Sequence, residues 1–214
     1  MADDLEKQFR EGFLAAVRER INELLPGDGE RLCAEIERLW PSIYESRKTL
    51  VVDPASEGHL RSCSLVLAAH RLLAPQLPRP DQAIEVIRNA FIEAAKRMGS
   101  ADDMLAAAFS GTSDPLEVYV GMAKAKETGF YGATFAFEHA RDDKDAFHQD
   151  VTKCFYFDFF KAEGVPELTR MFCDSDEIWM DALNRGHFGI RVERPTTLAF
   201  GGTGCPFHVD RSRS

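Results

Sequence analysis

The composition of the chain describes an acidic protein of moderate size. It has 214 residues, of which 44% are hydrophobic and 29% charged, and its formal net charge is −9. This size predicts one globular domain with a substantial core. The net charge argues against nucleic acid as a partner, because nucleic-acid-binding proteins usually neutralise phosphates with clustered Lys and Arg. The acidic start MADDLEKQFREGF is unlike a secretion signal, and no segment resembles a membrane span, so we expect a cytoplasmic protein without a membrane partner.

The cysteines and histidines form no local metal-binding or disulfide pattern. Five cysteines occur without a Cys-x-x-Cys pair, and six histidines occur without an HxxxH or HExxH motif. The chain is therefore expected to keep reduced thiols and to use no cofactor and no metal. A mixed Cys/His site assembled from distant elements stays open at this point.

Apolar residues recur every three or four positions in the first half of the chain, which predicts amphipathic helices. The first should run over Leu5–Leu25, and the second should end near Pro41 or a little past it. The nearly continuous apolar run Leu65–Ala69 indicates a central helix that is buried on most sides. Asp114 is followed by proline and, three residues after the cap, by glutamate, which together predict a helix start.

The second half of the chain shows the alternation typical of strands. Strands are predicted within residues 130–140, within HFGIRVER, and in TTLAF and PFHVD on either side of the turn Gly201–Gly204. We predict an α+β fold in which a helical region, residues 1–128, packs on a small antiparallel sheet with inserted helices, residues 129–214. The two regions should form one integrated domain.

Three cysteines in the last third of the chain are candidate reactive groups. Cys154, Cys173 and Cys205 lie on three different predicted elements and could meet in space, although free cysteines usually pack as small apolar groups. Cys173 precedes Asp174 and Asp176, which are candidate caps of a helix starting there. A thiol at a helix N-terminus also has a lowered pKa.

His139 is the histidine most suited to acid–base chemistry, since it is predicted on the inward face of a strand. A hydrogen-bonded histidine at the edge of a sheet is the alternative interpretation.

The C-terminal third resembles the L-2-amino-thiazoline-4-carboxylic acid hydrolase family. The resemblance rests on CFYFDFFKAEGVPELTRMFCDSDEIWMDAL and TTLAFGGTGCPFHV. The matching residues are Cys154, Tyr156, Phe159, Gly164, Pro166, Glu167, Leu168, Thr169, Cys173, Asp174, Asp176, Gly201, Gly202, Cys205 and Phe207. The same pattern favours a helix from His148 to Gly164, which would place Cys154 and Asp158 one turn apart on one face.

The resemblance implies a hydrolase that opens a small heterocyclic ring, as in the conversion of 2-aminothiazoline-4-carboxylate to N-carbamoyl-cysteine. It implies a site formed by Cys154, Cys173, Asp176 and Cys205, with Cys173 or Cys154 as the nucleophile. Asp176 would act as a base or as the counter-ion of the substrate amidinium, and His139 would carry a proton. Direct activation of water by a carboxylate or histidine is the other mechanism. The partner would be a small heterocyclic substrate.

Two further expectations accompany this interpretation. A substrate carboxylate needs a cation, for which Arg170, Arg191 and Arg194 are the nearby choices. The base-rate oligomeric state is a symmetric homodimer. The competing interpretation is a non-enzymatic sensor that binds a small molecule or metal, of the type related to vinyl reductase.

Overall fold

The computed structural model describes residues 2–212. Within this range the chain forms helices and one four-stranded antiparallel sheet. The helices are α1 (Ala2–Leu24), α2 (Gly29–Ser46), α3 (Pro54–Leu73), α4 (Pro80–Arg97), α5 (Ala101–Ala108), α6 (Pro115–Lys126), α7 (Phe155–Ala162) and α8 (Arg170–Arg185). The strands are β1 (Ala136–Asp142), β2 (Ala146–Lys153), β3 (Ile190–Glu193) and β4 (Cys205–Arg211). The prediction of an α+β fold is confirmed.

The sheet has the order β1-β2-β4-β3, so β4 inserts between β2 and β3. A large core cluster joins the apolar stripes of α1 to α4 with α7, and includes the fully buried Phe13, Ile21 and Ile87. A smaller cluster packs α5, α6 and α8 on one face of the sheet around Phe147 and Val209. The two clusters place the ends of β2 and β4 beside the helices.

Helix starts follow the predicted capping chemistry. The Asp114 carboxylate accepts the backbone N–H of Glu117 at 3.0 Å, so the predicted start of α6 is confirmed. Asp53 and Ser56 cap each other's backbone N–H groups at the start of α3. The middle of α3 is buried on most sides, as the run Leu65–Ala69 predicted. Satisfying the free N–H groups fixes where these helices begin.

Of the two ends predicted for α2, the one at Pro41 is wrong and the one a little past it is confirmed. The helix continues to Ser46, because Ile43 and Tyr44 beyond the proline are buried against the core. Burial of these two side chains offsets the backbone hydrogen bond that Pro41 cannot donate.

The strand predicted for TTLAF is also wrong. Leu198–Phe200 form a single 3₁₀ turn, and β4 pairs instead with β2 and β3. The Gly202 N–H donates to the Thr197 carbonyl at 3.0 Å, which folds the chain back before a strand can form. Gly201–Gly204 therefore lie in the connection from β3 to β4 rather than in a tight hairpin turn.

The helix predicted from His148 to Gly164 is only half correct. The first part of the predicted helix, from His148 to Lys153, belongs to β2. Cys154 occupies the N-cap position, and α7 begins at Phe155. Phe147 and Val151 are four residues apart, and this even spacing places them on one face of a strand as well as of a helix. Pairing with β1 and β4 decides in favour of the strand. The predicted end of the helix at Gly164 is confirmed within two residues.

Gly132 joins the turn before β1 to the start of α3. Its φ of 65° and ψ of −161° are accessible almost only to glycine, and a Cβ there would overlap the Asp53 carboxylate and lie 2.9 Å from Ala55 Cβ. We expect Gly132→Ala to lower the free energy of unfolding by about 3 kcal/mol in urea titrations. Gly201→Ala is the matched control, because Gly201 also has a positive φ but has open space around it, and should cost about 1 kcal/mol. Equal losses would contradict the steric explanation.

Candidate active site

A cavity of about 340 Å³ lies where α7, α8 and the sheet meet α1 and α4. Polar and thiol side chains line the part near α7, α8 and β4: Cys154, Cys173, Asp176, Arg194 and Cys205. The lining residues from α1, α4 and the C-cap of α4 are Phe9, Phe91, Ala95 and Met98, all apolar. The structure thus brings together four of the five site residues predicted from the sequence.

Cys154 lies at the N-terminus of α7. The backbone N–H groups of Tyr156 and Phe157 near its sulfur act to lower the pKa of the thiol. Burial has the larger effect and raises this pKa to about 12. The thiol is therefore protonated at neutral pH, yet the helix N-terminus provides stabilisation for a thiolate when one forms.

Cys173 is in the first turn of α8 and not just before the helix. The structure starts this helix at Arg170, so Asp174 and Asp176 are not caps and lie inside it. The Asp174 carboxylate forms an ion pair with Arg88 on α4. Burial raises the pKa of the Cys173 thiol to about 12, which is opposite to the lowering predicted for an exposed helix N-terminus.

Cys205 begins β4 and already has a backbone partner. Its sulfur accepts the Leu198 N–H at 3.3 Å, and this bond holds the 3₁₀ turn against the strand. Burial raises the pKa of the Cys205 thiol. The Cys205 sulfur therefore already takes part in a hydrogen bond that holds the local backbone.

Asp176 and Arg194 form an ion pair at the wall of the cavity. Arg194 is 3% exposed, and its Nη1 donates to Asp176 Oδ2 at 3.1 Å while its Nη2 donates to the Cys173 carbonyl at 2.9 Å. Glu177 is a further partner of the same guanidinium, and Trp179 Nε1 donates to Asp176 Oδ1 at 3.4 Å. The Asp176 side chain is 29% exposed, and Asp176 lines the cavity. Its surroundings raise the pKa of the carboxyl to about 6 by burial, although Arg194 opposes the shift.

The raised pKa of Asp176 predicts a pH-dependent stability. The unfolded carboxyl titrates near ~3.9, so between that pH and about 6 the folded protein holds the additional proton. Stability from this group is therefore present at low pH and is lost as the pH rises through 6. We expect the wild type to lose about 2 kcal/mol relative to Asp176→Asn between pH 4 and 7.5. Urea unfolding across this pH range checks it, and parallel profiles for the two proteins would contradict it.

Of the three arginines considered from the sequence, only Arg194 lines the cavity. The Arg170 guanidinium stacks over the Phe200 ring at 4.8 Å. Arg191 is 67% exposed and pairs with Glu193 on the surface of β3. The Nε of Arg194 is buried and has no hydrogen-bond partner in the described part of the chain. A spare donor thus remains on the buried guanidinium.

His139 and Asp158 lie away from the cavity, contrary to the predictions made for them. His139 is on β1, and its Nε2 is 2.6 Å from a Glu127 carboxylate oxygen, so its strand does not turn it inward. Asp158 is exposed and lines a different groove from Cys154, because α7 starts one residue after the cysteine. Neither residue is placed to exchange a proton directly with the cavity thiols.

Sequence reasoning did not predict the contact between Tyr156 and His59. Tyr156 lines the cavity, and its hydroxyl lies 2.8 Å from Nδ1 of the buried His59 on α3. Tyr156 was recognised only as a matching residue, and no spacing rule links it to a histidine 97 positions away.

No group of three or more His, Cys, Asp or Glu side chains within residues 2–212 is arranged to hold a metal ion. None of the helices in that range combines the length and apolar character that crossing a bilayer requires.

The fold and the cavity define an α+β protein with a thiol-lined pocket of a size suited to small molecules. The family model described as L-2-amino-thiazoline-4-carboxylic acid hydrolase matches residues 63–209. The chain belongs to this family, and the resemblance found in the sequence is confirmed.

Comparisons with curated proteins and with solved structures do not extend this family assignment. No curated protein matches the chain. Among solved structures, the crystal structure of Fe(II) unliganded H-NOX protein from K. algicida has 10% identity and a TM-score of 0.31, covering 94% of this chain and 96% of that one. A point mutant of the same protein has 11% identity and a TM-score of 0.30, covering 95% and 97%. These TM-scores are too low to indicate a shared fold.

Proposed function

We propose that this protein hydrolyses a small cyclic amidine that carries a carboxylate, with 2-aminothiazoline-4-carboxylate as the reference substrate. The observation that supports this most directly is the convergence of three thiols, one carboxyl and one buried arginine on a single cavity. These groups come from α7, α8 and the two ends of the connection from β3 to β4. A protein that used its cysteines only for packing would not need them beside a charged pair.

The charges of the cavity suit a substrate with both signs. Asp176 is positioned to bind the amidinium, which keeps the carbon between sulfur and nitrogen electrophilic. The Arg194 guanidinium, whose Nε has no partner among the described residues, suits the substrate carboxylate, because it presents several N–H groups in a fixed plane. The apolar wall from α1 and α4 limits the water around the ring.

Cys154 is the nucleophile that we favour. Among the three thiols, only that of Cys154 is at the N-cap of a helix, where the first N–H groups of α7 act to lower its pKa, whereas Cys205 accepts a hydrogen bond from Leu198 and Cys173 lies within its helix. Its sulfur would bond to the amidine carbon, the ring carbon–sulfur bond would break, and water would then release the adduct as a carbamoyl product. The reaction adds one water in total.

Deprotonation of the Cys154 thiol has a high free-energy cost in this reaction. Moving a proton from a thiol of pKa about 12 to a carboxyl of pKa about 6 costs about 8 kcal/mol. A turnover of about 10 per second corresponds to a total barrier of about 16 kcal/mol. A bound amidinium reduces the cost, since a cation beside a thiol lowers its pKa. The chemistry therefore favours a cationic substrate.

The test is a screen of 2-aminothiazoline-4-carboxylate, related cyclic amidines and hydantoin-like rings followed by mass spectrometry. Ring opening by the proposed route gives a mass gain of one water and, for the thiazoline, one new free thiol per turnover. Binding of these compounds without any mass gain would instead indicate a ligand-binding or sensor role.

A further inference from the structure

His59 is a buried histidine that the reaction described so far does not use. It is 4% exposed, and the aromatic rings of Phe130, Phe135, Phe155 and Tyr156 lie around it with centroids 5.1 to 6.0 Å from its own. Its Nε2 has no hydrogen-bond partner within the described residues, although the carbonyls of Phe130 and Tyr131 lie beside the ring. A purely structural position of this kind would be filled more favourably by an apolar side chain.

A hydrogen bond joins His59 to Tyr156, which lines the cavity. Tyr156 Oη lies 2.8 Å from His59 Nδ1, and the tyrosine ring is stacked on Phe172 with centroids 4.1 Å apart. Burial keeps His59 neutral by lowering its pKa, and the proposal below uses the tautomer whose single ring proton is on Nε2. In that tautomer Nδ1 is the acceptor and the Tyr156 hydroxyl is the donor.

The cavity needs a proton acceptor other than Asp176. If the Asp176 carboxylate took the proton of the nucleophile, it would lose the charge that holds the amidinium. None of the described residues that line the cavity is a histidine. Tyr156, which begins the first turn of α7 together with Phe155, joins the cavity of Cys154 to His59.

We propose that Tyr156 is a further catalytic residue of the cavity and that His59 accepts protons through it. As Cys154 Sγ bonds to the amidine carbon, its proton passes by way of water in the cavity to Tyr156 Oη, while the tyrosine proton passes to His59 Nδ1. The ring carbon–sulfur bond then breaks, and the proton returns by the same route to the leaving sulfur. Water repeats the cycle when it releases the adduct and restores the Cys154 thiol.

One charged neighbour of His59 favours a transient positive charge on the ring, against the larger and opposite effect of burial. The carboxylate of Asp53, at the start of α3, acts to favour the protonated ring. Both His59 and Tyr156 also line a separate groove of about 570 Å³ that carries Glu57 and Arg61. This groove offers a second side from which the pair can exchange a proton with solvent.

The experiment compares Tyr156→Phe, His59→Asn and the double variant with Tyr44→Phe. The asparagine can accept the tyrosine hydrogen bond but cannot take up a proton, so it separates proton transfer from structure. Tyr44→Phe is the control because its hydroxyl also bonds one side chain on α3, Glu57 at 3.1 Å, outside the cavity. We expect kcat to fall about 100-fold in each single variant and by a similar factor in the double variant, with KM within threefold. Activity of His59→Asn within threefold of the wild type would overturn the proposal.

A second measurement does not depend on ring opening, on which the proposal otherwise rests. The rate of Cys154 alkylation by iodoacetamide, followed by peptide mapping, should fall about tenfold in Tyr156→Phe and His59→Asn and stay unchanged in Tyr44→Phe. Unchanged alkylation in both cavity variants would overturn the role of the pair. A wild type that opens no ring but shows the alkylation effect would contradict the proposed function and leave the pair supported.

Discussion

Cys154→Ser is expected to lower kcat for ring opening by at least about 10³-fold, with little change in KM. A serine hydroxyl is a far weaker nucleophile than a thiolate, and the helix N-terminus cannot compensate for its higher pKa. Single-turnover reactions quenched in acid should show the substrate mass attached to Cys154 in the wild type and no adduct in the variant. Steady-state rates and intact-protein mass spectrometry measure the two effects.

Cys33→Ser is the matched control for this variant. Cys33 is equally buried, but it lies on α2 and its thiol donates to the Leu14 carbonyl at 3.3 Å, a bond that a serine hydroxyl retains. Its activity should stay within twofold of the wild type. If Cys154→Ser also keeps activity within tenfold, covalent catalysis by this thiol is excluded and direct activation of water becomes the mechanism.

Arg194→Met is expected to lower the free energy of unfolding by about 3 kcal/mol at pH 7.5. The variant leaves the Asp176 carboxylate without its cation and the Cys173 carbonyl without a donor. Methionine still covers the Phe207 ring, over which the guanidinium lies at 5.2 Å, so the loss reports mainly on charge. The loss should shrink below pH 6, because a protonated Asp176 no longer needs the cation.

Arg191→Met serves as the control, since Arg191 pairs with Glu193 at 3.2 Å but is 67% exposed. Exposed ion pairs of this kind contribute little, so the change should stay within about 0.5 kcal/mol. Urea titrations of both variants make the comparison. Similar losses in the two variants would show that Arg194 is not the central charge of the cavity.

We propose that binding of the substrate charges, nucleophilic attack and proton transfer are carried out by different side chains of the cavity. In the proposed reaction, Asp176 and Arg194 would bind the two charges of a small zwitterionic ring, and Cys154 would attack the carbon between its heteroatoms. The Tyr156–His59 pair would transfer protons without changing the charge that binds the substrate. Each role is assigned to a different group, and each can be removed separately by one of the substitutions above.

Local pattern in the sequence determined the helical half and the family. The stripe of α1 and the Asp114 cap of α6 depend on neighbours three and four residues away, so they are visible without the fold. The family motifs likewise pointed to Cys154, Cys173, Asp176 and Cys205 as one site. The structure places these four side chains around one cavity, while their chemical roles remain predictions.

Tertiary structure decided what depends on distant partners. The spacing of Phe147 and Val151 suits a helix and a strand equally, and only pairing with β1 and β4 makes this segment β2. The choice of Arg194 among three arginines and the contact of Tyr156 with His59 likewise depend on how the connection to β4 and helix α3 pack. The pKa values of the thiols also depend on the tertiary structure. A helix N-terminus lowers a thiol pKa locally, but the burial that raises those of Cys154 and Cys173 exists only once the chain has folded around them.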